Sequence, residues 1–414
     1  MPRSPTKGAR RAYESMASRV MRLPVNRVAP LALCLALCVY LLLGGGSASS
    51  GTSGARGGNG GAFSLATSDG RPFPGHVLVT GGAGFIGSHA TMRLLELGHA
   101  VTIVDNYSRG NRGAVRALQK LAPPRKLRVV EADIGIPEEL ERAFDPRYPI
   151  DVVMHFAAIA FVGEAMEKPL LYYHNVTSNT VGVLEAMKRH KVKRLVYSST
   201  CATYGNPDVM PITEKTPTAP INAYGRSKLY SENAVRDHAK SDPGFDAAIL
   251  RYFNVFGADP RGRLGEYPPP SLMHHGRIST ACFDAALGNR DELVVTGTEH
   301  PTDDGTCVRD YVHVTDLIDA HVAVMRGLKN PPALYNVGTG KGVSVKEFVR
   351  ACKKVTGGGF AIREVKKARP GDHAVAYADP SLIQKELGWK ARYVDLEESL
   401  GHAWAWRLAH KSGY

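Results

Sequence analysis

Tyr224 and Lys228 are the side chains of this chain best suited to moving a proton. Four residues apart, they share one face of a helix. An ammonium held beside a phenol favours phenolate, so Lys228 is expected to lower the pKa of Tyr224. A phenol is otherwise a poor base near neutral pH. With a cation beside it, it can take a proton from a sugar or alcohol hydroxyl. Such a spacing also arises by chance in many proteins, where the pair is simply structural. A second set of residues upstream gives this pair its weight.

His76-Val77-Leu78-Val79-Thr80 is an apolar run of the kind that forms a buried parallel strand. Gly81-Gly82-Ala83-Gly84-Phe85-Ile86-Gly87 follows it. Gly81 permits a tight turn. Gly84 lets a pyrophosphate approach the N-terminus of a helix, where free N–H groups and the helix dipole favour an anion. Phe85 and Ile86 belong to the same binding loop, and Gly87 lets the helix pack closely on the strand. A helical stretch ends at Gly98, and a second strand, Ala100–Val104, delivers Asp105. An acid there binds a ribose 2′-hydroxyl and repels a 2′-phosphate, which favours NAD over NADP. Strand, glycines, helix, strand and acid in this order form a dinucleotide-binding fingerprint.

The chain has 414 residues, a length for one large or two modest domains. Its apolar content is that of an ordinary soluble globule except at Leu31–Leu43, an almost wholly apolar run extended back to Val28. Arg3, Lys7, Arg10, Arg11, Arg19, Arg22 and Arg27 precede it against Glu14 alone. The positive-inside rule then keeps the N-terminus cytosolic and sends the remainder across. The run is short for a membrane span, near the lower limit of what the thinner membranes of the early secretory pathway need. A cleaved signal peptide ending near Ser47-Ala48-Ser49 is the alternative, which the long basic leader disfavours; an organelle transit peptide is a third, which the unbroken Leu run disfavours. The expected organisation is a basic tail over 1–27, a signal anchor over 28–46, a Gly/Ser-rich stalk over 47–75, and a globular part from His76 to Tyr414.

The formal net charge of +13 comes in good part from the leader. The rest suits an anionic substrate and lacks the aromatic-interleaved basic stripes of nucleic-acid binders, so no nucleic-acid partner is expected. Cys34 and Cys38 lie in the apolar run. Cys201, Cys282, Cys307 and Cys352 have no metal-ligand spacing and read as free thiols, so no metal is expected.

Further strands are expected at Leu127–Val130, Val152–His155, Arg194–Ser198 and Ala247–Arg251, with helices at Glu138–Phe144, Leu170–Arg189 and Ala223–His238. This alternation predicts an α/β fold, a Rossmann-type doubly wound parallel sheet over 76–253. Beyond Asn254 the pattern loosens. Strands near Leu293–Thr296 and Ala333–Val337 and helices near Val314–Leu328, Val345–Val355 and Leu396–Ala409 suggest a smaller C-terminal α/β lobe over 254–414. Ligands in open α/β sheets sit beyond the carboxyl ends of the strands, so the cleft between the lobes is the expected substrate site.

Taken together, Gly81–Gly87, Asp105-Asn106, Asp133-Ile134, His155-Phe156-Ala157-Ala158, Tyr197-Ser198-Ser199-Thr200, Tyr224–Lys228, Arg251-Tyr252-Phe253-Asn254, Val308-Arg309-Asp310-Tyr311 and Arg369-Pro370-Gly371-Asp372 resemble an extended short-chain dehydrogenase/reductase of the nucleotide-sugar 4-epimerase type. The chain is most similar to the UDP-glucose 4-epimerases and the UDP-xylose (UDP-arabinose) 4-epimerases. The resemblance implies that Asp105 and Asn106 hold the adenosine ribose, and that Asp133 and Ile134 contact the adenine. It places Ala157, Ala158 and Asn175 along the NAD path. Thr200 would bond the sugar 4-hydroxyl, Tyr224 exchange its proton, and Lys228 bind the nicotinamide ribose. Asn254, Arg309 and Asp372 would hold a UDP-sugar, with Arg369 at its pyrophosphate. The implied reaction oxidises C4 to a ketone, turns the 4-keto sugar to its other face and reduces it again, with NAD bound throughout. A homodimer is expected, as relatives commonly pair through a two-helix contact.

The chain also departs from the pattern. The soluble hexose epimerases usually carry Lys at the position of Ala160 and Asn near that of Arg277, and a position bulky in some relatives corresponds to Ala376. Arg277 adds a cation to the expected substrate set. These departures, with an anchor like that of the plant-type Golgi enzymes, point to conversion of UDP-xylose to UDP-L-arabinose by a single-pass type II Golgi membrane protein with a lumenal catalytic domain. A UDP-glucose or dual-specificity 4-epimerase, a UDP-glucuronate 4-epimerase or decarboxylase, and a non-catalytic NAD-binding scaffold are the alternatives; the scaffold is disfavoured because both Tyr224 and Lys228 are present.

His155 reads as a core histidine, and His274, His275 and His300 as solvated loop residues. Tyr204 and Tyr311 are equally compatible with packing and with the site. Asn106-Tyr107-Ser108 and Asn175-Val176-Thr177 are glycosylation sequons at the expected NAD site, and both are expected to stay unmodified.

Overall fold

Residues 75–268, 272, 277–369 and 371–414 are described by the computed structural model. The expected tail, anchor and nearly all of the stalk, together with His274-His275, lie outside the described residues. Among the described residues no helix is long and apolar enough to cross a membrane.

The strands of the large sheet are short runs rich in β-branched and aliphatic residues, buried on both faces except at the edge strand β3. They are β1 (His76–Thr80), β2 (Ala100–Asp105), β3 (Leu127–Glu131), β4 (Val152–His155), β5 (Arg194–Thr200) and β6 (Asp246–Tyr252). Side chains alternate between the faces. Val77 and Val79 of β1 pack with Leu94, Ile103 and Leu317, while Leu78 packs with Val104, Val153 and Tyr197 on the other side. Continuous apolar strands of this kind need helices on both faces, which is why they form a parallel sheet.

The strand order runs β3-β2-β1-β4-β5-β6, and every pairing along it is parallel. The order reverses between β1 and β4. At such a switch point the connections leave toward opposite faces and open a crevice at the strand carboxyl ends.

β7 (Asn254–Phe256), β8 (Glu292–Thr296), β9 (Val308–His313), β10 (Ala333–Val337), β11 (Gly342–Ser344), β12 (Ala361–Val365) and β13 (Val375–Ala376) follow. β9 pairs with β7, β11 and β13, and β8 pairs with β12, over a core that includes Phe256, Phe283, Phe348 and Trp406. One expectation changes here. Ala333–Val337 does not belong to the smaller lobe: it pairs parallel with β6 and becomes the seventh strand of the large sheet. Segment 254–414 therefore supplies both the small sheets and the closing edge of the large one.

Several helix ends follow from their caps. Asn222 accepts from the Gly225 N–H at 2.8 Å and starts the helix Ala223–Ser241. Ser344 and Glu347 form a reciprocal capping box on Val345–Thr356. The expected helix Leu170–Arg189 is realised as Pro169–Tyr172 and Asn179–Arg189 with a π-helical turn, Tyr173–Ser178, between them.

Candidate active site

Thr80 ends β1 and the chain turns at Gly81, whose φ of +71° lies in the left-handed region. A Cβ at Gly81 would stand 2.8 Å from the Ala157 nitrogen, and one at Gly87 would stand 2.1 Å from the Gly81 carbonyl oxygen. Glycines at both positions are thus required for turn and helix to pass so closely. The helix Phe85–Glu96 starts at Gly84 without a side-chain cap, which leaves its first N–H groups for an anion.

At the end of β2 the Asp105 carboxylate accepts from the N–H groups of Ala83 (2.9 Å) and Tyr107 (2.8 Å). Burial raises its pKa, and these two bonds act against the rise. Asn106 donates to Asp133 at 2.9 Å, and Asp133 accepts from the Gly135 N–H at 2.8 Å. The π-helical turn carries Asn175, whose side-chain oxygen accepts from Ile159 N–H at 2.9 Å. Every residue expected at the dinucleotide site lines one cavity of about 720 Å³: Gly81, Gly84–Gly87, Asp105, Asn106, Asp133, Ile134, Ala157, Ala158, Asn175, Tyr224 and Lys228. The uncapped helix, the crowded glycines and the acid at the strand end fit an NAD molecule.

Tyr224 lies in the first turn of Ala223–Ser241 and Lys228 one turn later, both buried. The expected direction of the Tyr224 shift is reversed. Burial drives the phenol well above its ordinary range, and the neighbouring Tyr252 adds to this. The hydrogen bond with Thr200, not Lys228, pulls it back. Lys228 itself is brought down to about 7 by burial, with Glu232 alone opposing. It donates to the Ser198 carbonyl at 2.8 Å and lies 5.0 Å over the Tyr197 ring. The spacing rule placed both side chains on one face correctly but left out the cost of burying either charge.

Of the expected substrate residues, Arg277, Arg369 and Asp372 line the cavity with Tyr224. Thr200, Asn254 and Arg309 do not line it. Thr200 ends β5, its hydroxyl oxygen accepts from the Ala202 N–H at 3.2 Å, and it acts to lower the Tyr224 pKa. Arg309 is buried on β9 and reaches the Asp372 carboxylate at 3.4 Å, whose other oxygen lies 3.3 Å from Arg369. Asn254 opens β7 as an exposed residue and is not brought to the others. Arg277 pairs closely with Glu266 and lies over Phe85, its guanidinium carbon 5.2 Å from the ring centre. Ala160 is on the cavity wall, and Ala376 is buried with Tyr204, Ile212 and Phe253.

Tyr204 and Tyr311 take their packing roles. The Tyr204 hydroxyl donates to Asn336 at 2.7 Å, and Tyr311 packs against Phe348 and Phe256. His155 is a core histidine, bonded to Thr80 (2.7 Å) and Thr180 (3.1 Å) and driven down to about 3 by burial and by Lys228. Cys201, Cys282, Cys307 and Cys352 are free, and the described residues hold no group that could bind a metal. Arg109, Glu266, Tyr267 and Tyr414 also line the cavity and were not singled out from sequence. No pattern marks them, since each sits in a loop or chain end outside the strand–helix alternation.

The family description "NAD dependent epimerase/dehydratase family" matches residues 77–338, and the chain belongs to this family. It is 56% identical over 341 residues to a UDP-arabinose 4-epimerase of Arabidopsis thaliana, covering 82% of this chain and 81% of that one. It is 40% identical over 343 residues to the UDP-glucose 4-epimerase of Bacillus subtilis, covering 82% and 98%. Among solved structures it resembles a UDP-glucose 4-epimerase of Bifidobacterium longum in complex with NAD+ and UDP, with a TM-score of 0.77 and 39% identity over 82% of this chain and 100% of that one. It also resembles a UDP-glucose 4-epimerase of Stenotrophomonas maltophila with bound NAD and formylated UDP-arabinopyranose, with a TM-score of 0.73 and 39% identity over 81% and 98%.

Proposed function

We propose that this protein is an NAD-dependent UDP-sugar 4-epimerase that interconverts UDP-xylose and UDP-L-arabinose. The pentose preference is carried by one observation, the step in identity between the arabinose-named and the glucose-named relatives. The chemistry is carried by a buried phenol, Tyr224, that lines one cavity with the glycine loop, Lys228 and Asp372.

When bound, NAD supplies a reversible acceptor for hydride from a carbinol carbon. The residues of the chain do the rest. Thr200 lowers the Tyr224 pKa, and the Tyr224 oxygen takes the proton of the sugar 4-hydroxyl and later returns it. To accept that proton Tyr224 must be phenolate. Burial favours the neutral phenol in the nucleotide-free protein, and the phenolate is favoured instead by the positive charge of bound NAD. Asp372, held by the buried Arg309, orients the Arg369 guanidinium on the cavity wall, a fork that suits a diphosphate. A sugar held by its diphosphate is free to turn between the two proton transfers, and the reaction ends with no net redox change.

The decisive experiment is product analysis of residues 75–414 with UDP-xylose, UDP-glucose and UDP-glucuronate given separately. Conversion of UDP-xylose well above that of UDP-glucose is expected. Equal or greater UDP-glucose conversion would replace the pentose assignment with a hexose or dual-specificity one. We extend the proposal to location: a signal anchor over 28–46 holds the catalytic part in the Golgi lumen, a reading supported by the basic residues ahead of that run.

A further inference from the structure

Arg277 comes from the segment beyond 254 and forms the N-cap of the helix Ile278–Ala286 without using its side chain as a cap. The side chain turns instead to Glu266, pairing through Nη1. A guanidinium has five N–H donors, so one such pair leaves most of the fork available. About a third of the Arg277 side chain (35%) stays exposed. The guanidinium carbon lies 5.2 Å over the ring of Phe85. Phe85 is the first residue of the helix whose uncapped N–H groups suit a pyrophosphate. Arg277 and Phe85 line the same cavity.

The other cations on that wall have different engagements. Arg109 holds both oxygens of Glu164 at 2.9 Å through Nη2 alone, with Nη1 left unpaired. Lys228 donates to Ser198, and at neutral pH only part of its population is charged. Arg369 lies beside Asp372. A pyrophosphate brings two negative charges to the start of the Phe85 helix, and the helix dipole amounts to only about half a charge.

We infer that Arg277 is a cofactor clamp: held in place by Glu266 and Phe85, it reaches from beyond residue 254 to the pyrophosphate of NAD rather than to the UDP-sugar. This rests on NAD being the cofactor. It makes cofactor retention depend on the segment that also builds the small sheets. It also gives Glu266 a positioning task, because an unpaired arginine on this wall would have no fixed place from which to meet the pyrophosphate.

The test compares wild type, Arg277→Gln and Arg277→Lys, each stripped of nucleotide. NAD affinity is measured by quenching of intrinsic fluorescence, and UDP affinity by calorimetry on the NAD-loaded protein. Arg277→Gln is expected to weaken NAD binding about ten- to a hundredfold, the range for losing one charge-assisted contact. UDP affinity should change less than twofold. Arg277→Lys should recover part of the NAD affinity, since it restores charge without the fork. The difference between wild type and Arg277→Gln should shrink at high salt, which a purely structural role would not produce. Unchanged NAD affinity in Arg277→Gln, or a larger loss for UDP than for NAD, overturns the clamp. Should Arg277→Gln fail to fold, Arg277→Lys decides by the same two affinities. A wild type that binds no NAD would overturn the functional reading instead.

Discussion

Tyr224 and Lys228 each carry a burial cost that their spacing alone does not reveal. Tyr224→Phe removes the proton-transferring oxygen and keeps the ring, so turnover should fall about 10²- to 10⁴-fold with NAD binding intact; retained turnover would remove Tyr224 from the chemistry. For Lys228 the sign follows from its lowered pKa of about 7. Below that pH both folded and unfolded chains hold the proton, and the penalty of the buried charge is fully present. Between about 7 and the ordinary lysine value near 10.4, the unfolded chain alone is protonated, so stability rises with pH across that window. In nucleotide-free protein, the melting temperature of wild type minus that of Lys228→Met should therefore increase from pH 7 toward 10. A flat difference would mean that Lys228 is not desolvated. At this scale most of the site was legible, because glycine loop, Asp105, Tyr224 and Lys228 are fixed by local spacing. Glu266 and Asn254 were not, since loop residues and strand ends take their place from tertiary packing.

Three elements meet at Glu232. From the helix Ala223–Ser241 its carboxylate accepts from Arg251 of β6 at 2.8 and 2.6 Å and from Ser199 of β5 at 2.5 Å, all buried. Removing one partner leaves a buried charge unpaired, so Glu232→Ala should lose about 3–5 kcal/mol in urea unfolding. Glu131→Ala, which breaks the exposed pair with Arg112, should leave the urea midpoint unchanged. A Glu232 variant as stable as wild type would show that the pair does not join the strands to the helix. Val152–His155, a continuous apolar run, and the helix Leu396–Ala409 were readable from sequence to the residue. β12 was not, because four of its five residues are exposed and it offers no alternation. The sheet that receives β10 was hidden for another reason: its apolar run says that it is buried, but not beside which strand.

At the scale of the whole molecule, the large sheet is assembled from distant stretches of one chain. The full chain should sediment with membranes and resist carbonate extraction, and protease added to sealed vesicles should spare residues 75–414; a freely soluble full chain would sink the anchor. Both sequons face the nucleotide cavity through Asn106 and Asn175, so peptide masses from active protein should show no glycan at either. The late arrival of β10 has a consequence in time. β6 ends at Tyr252, and its outer partner begins about eighty positions later at Ala333. At about 5–20 residues per second of synthesis, that border waits about 4–16 seconds for its neighbour. During that interval a nascent chain shows a row of unpaired amides that other nascent chains can join. A fragment ending at residue 253 should therefore precipitate where 75–414 stays in solution, and the yield of finished protein will depend on how well the cell shields one strand until the last one is made.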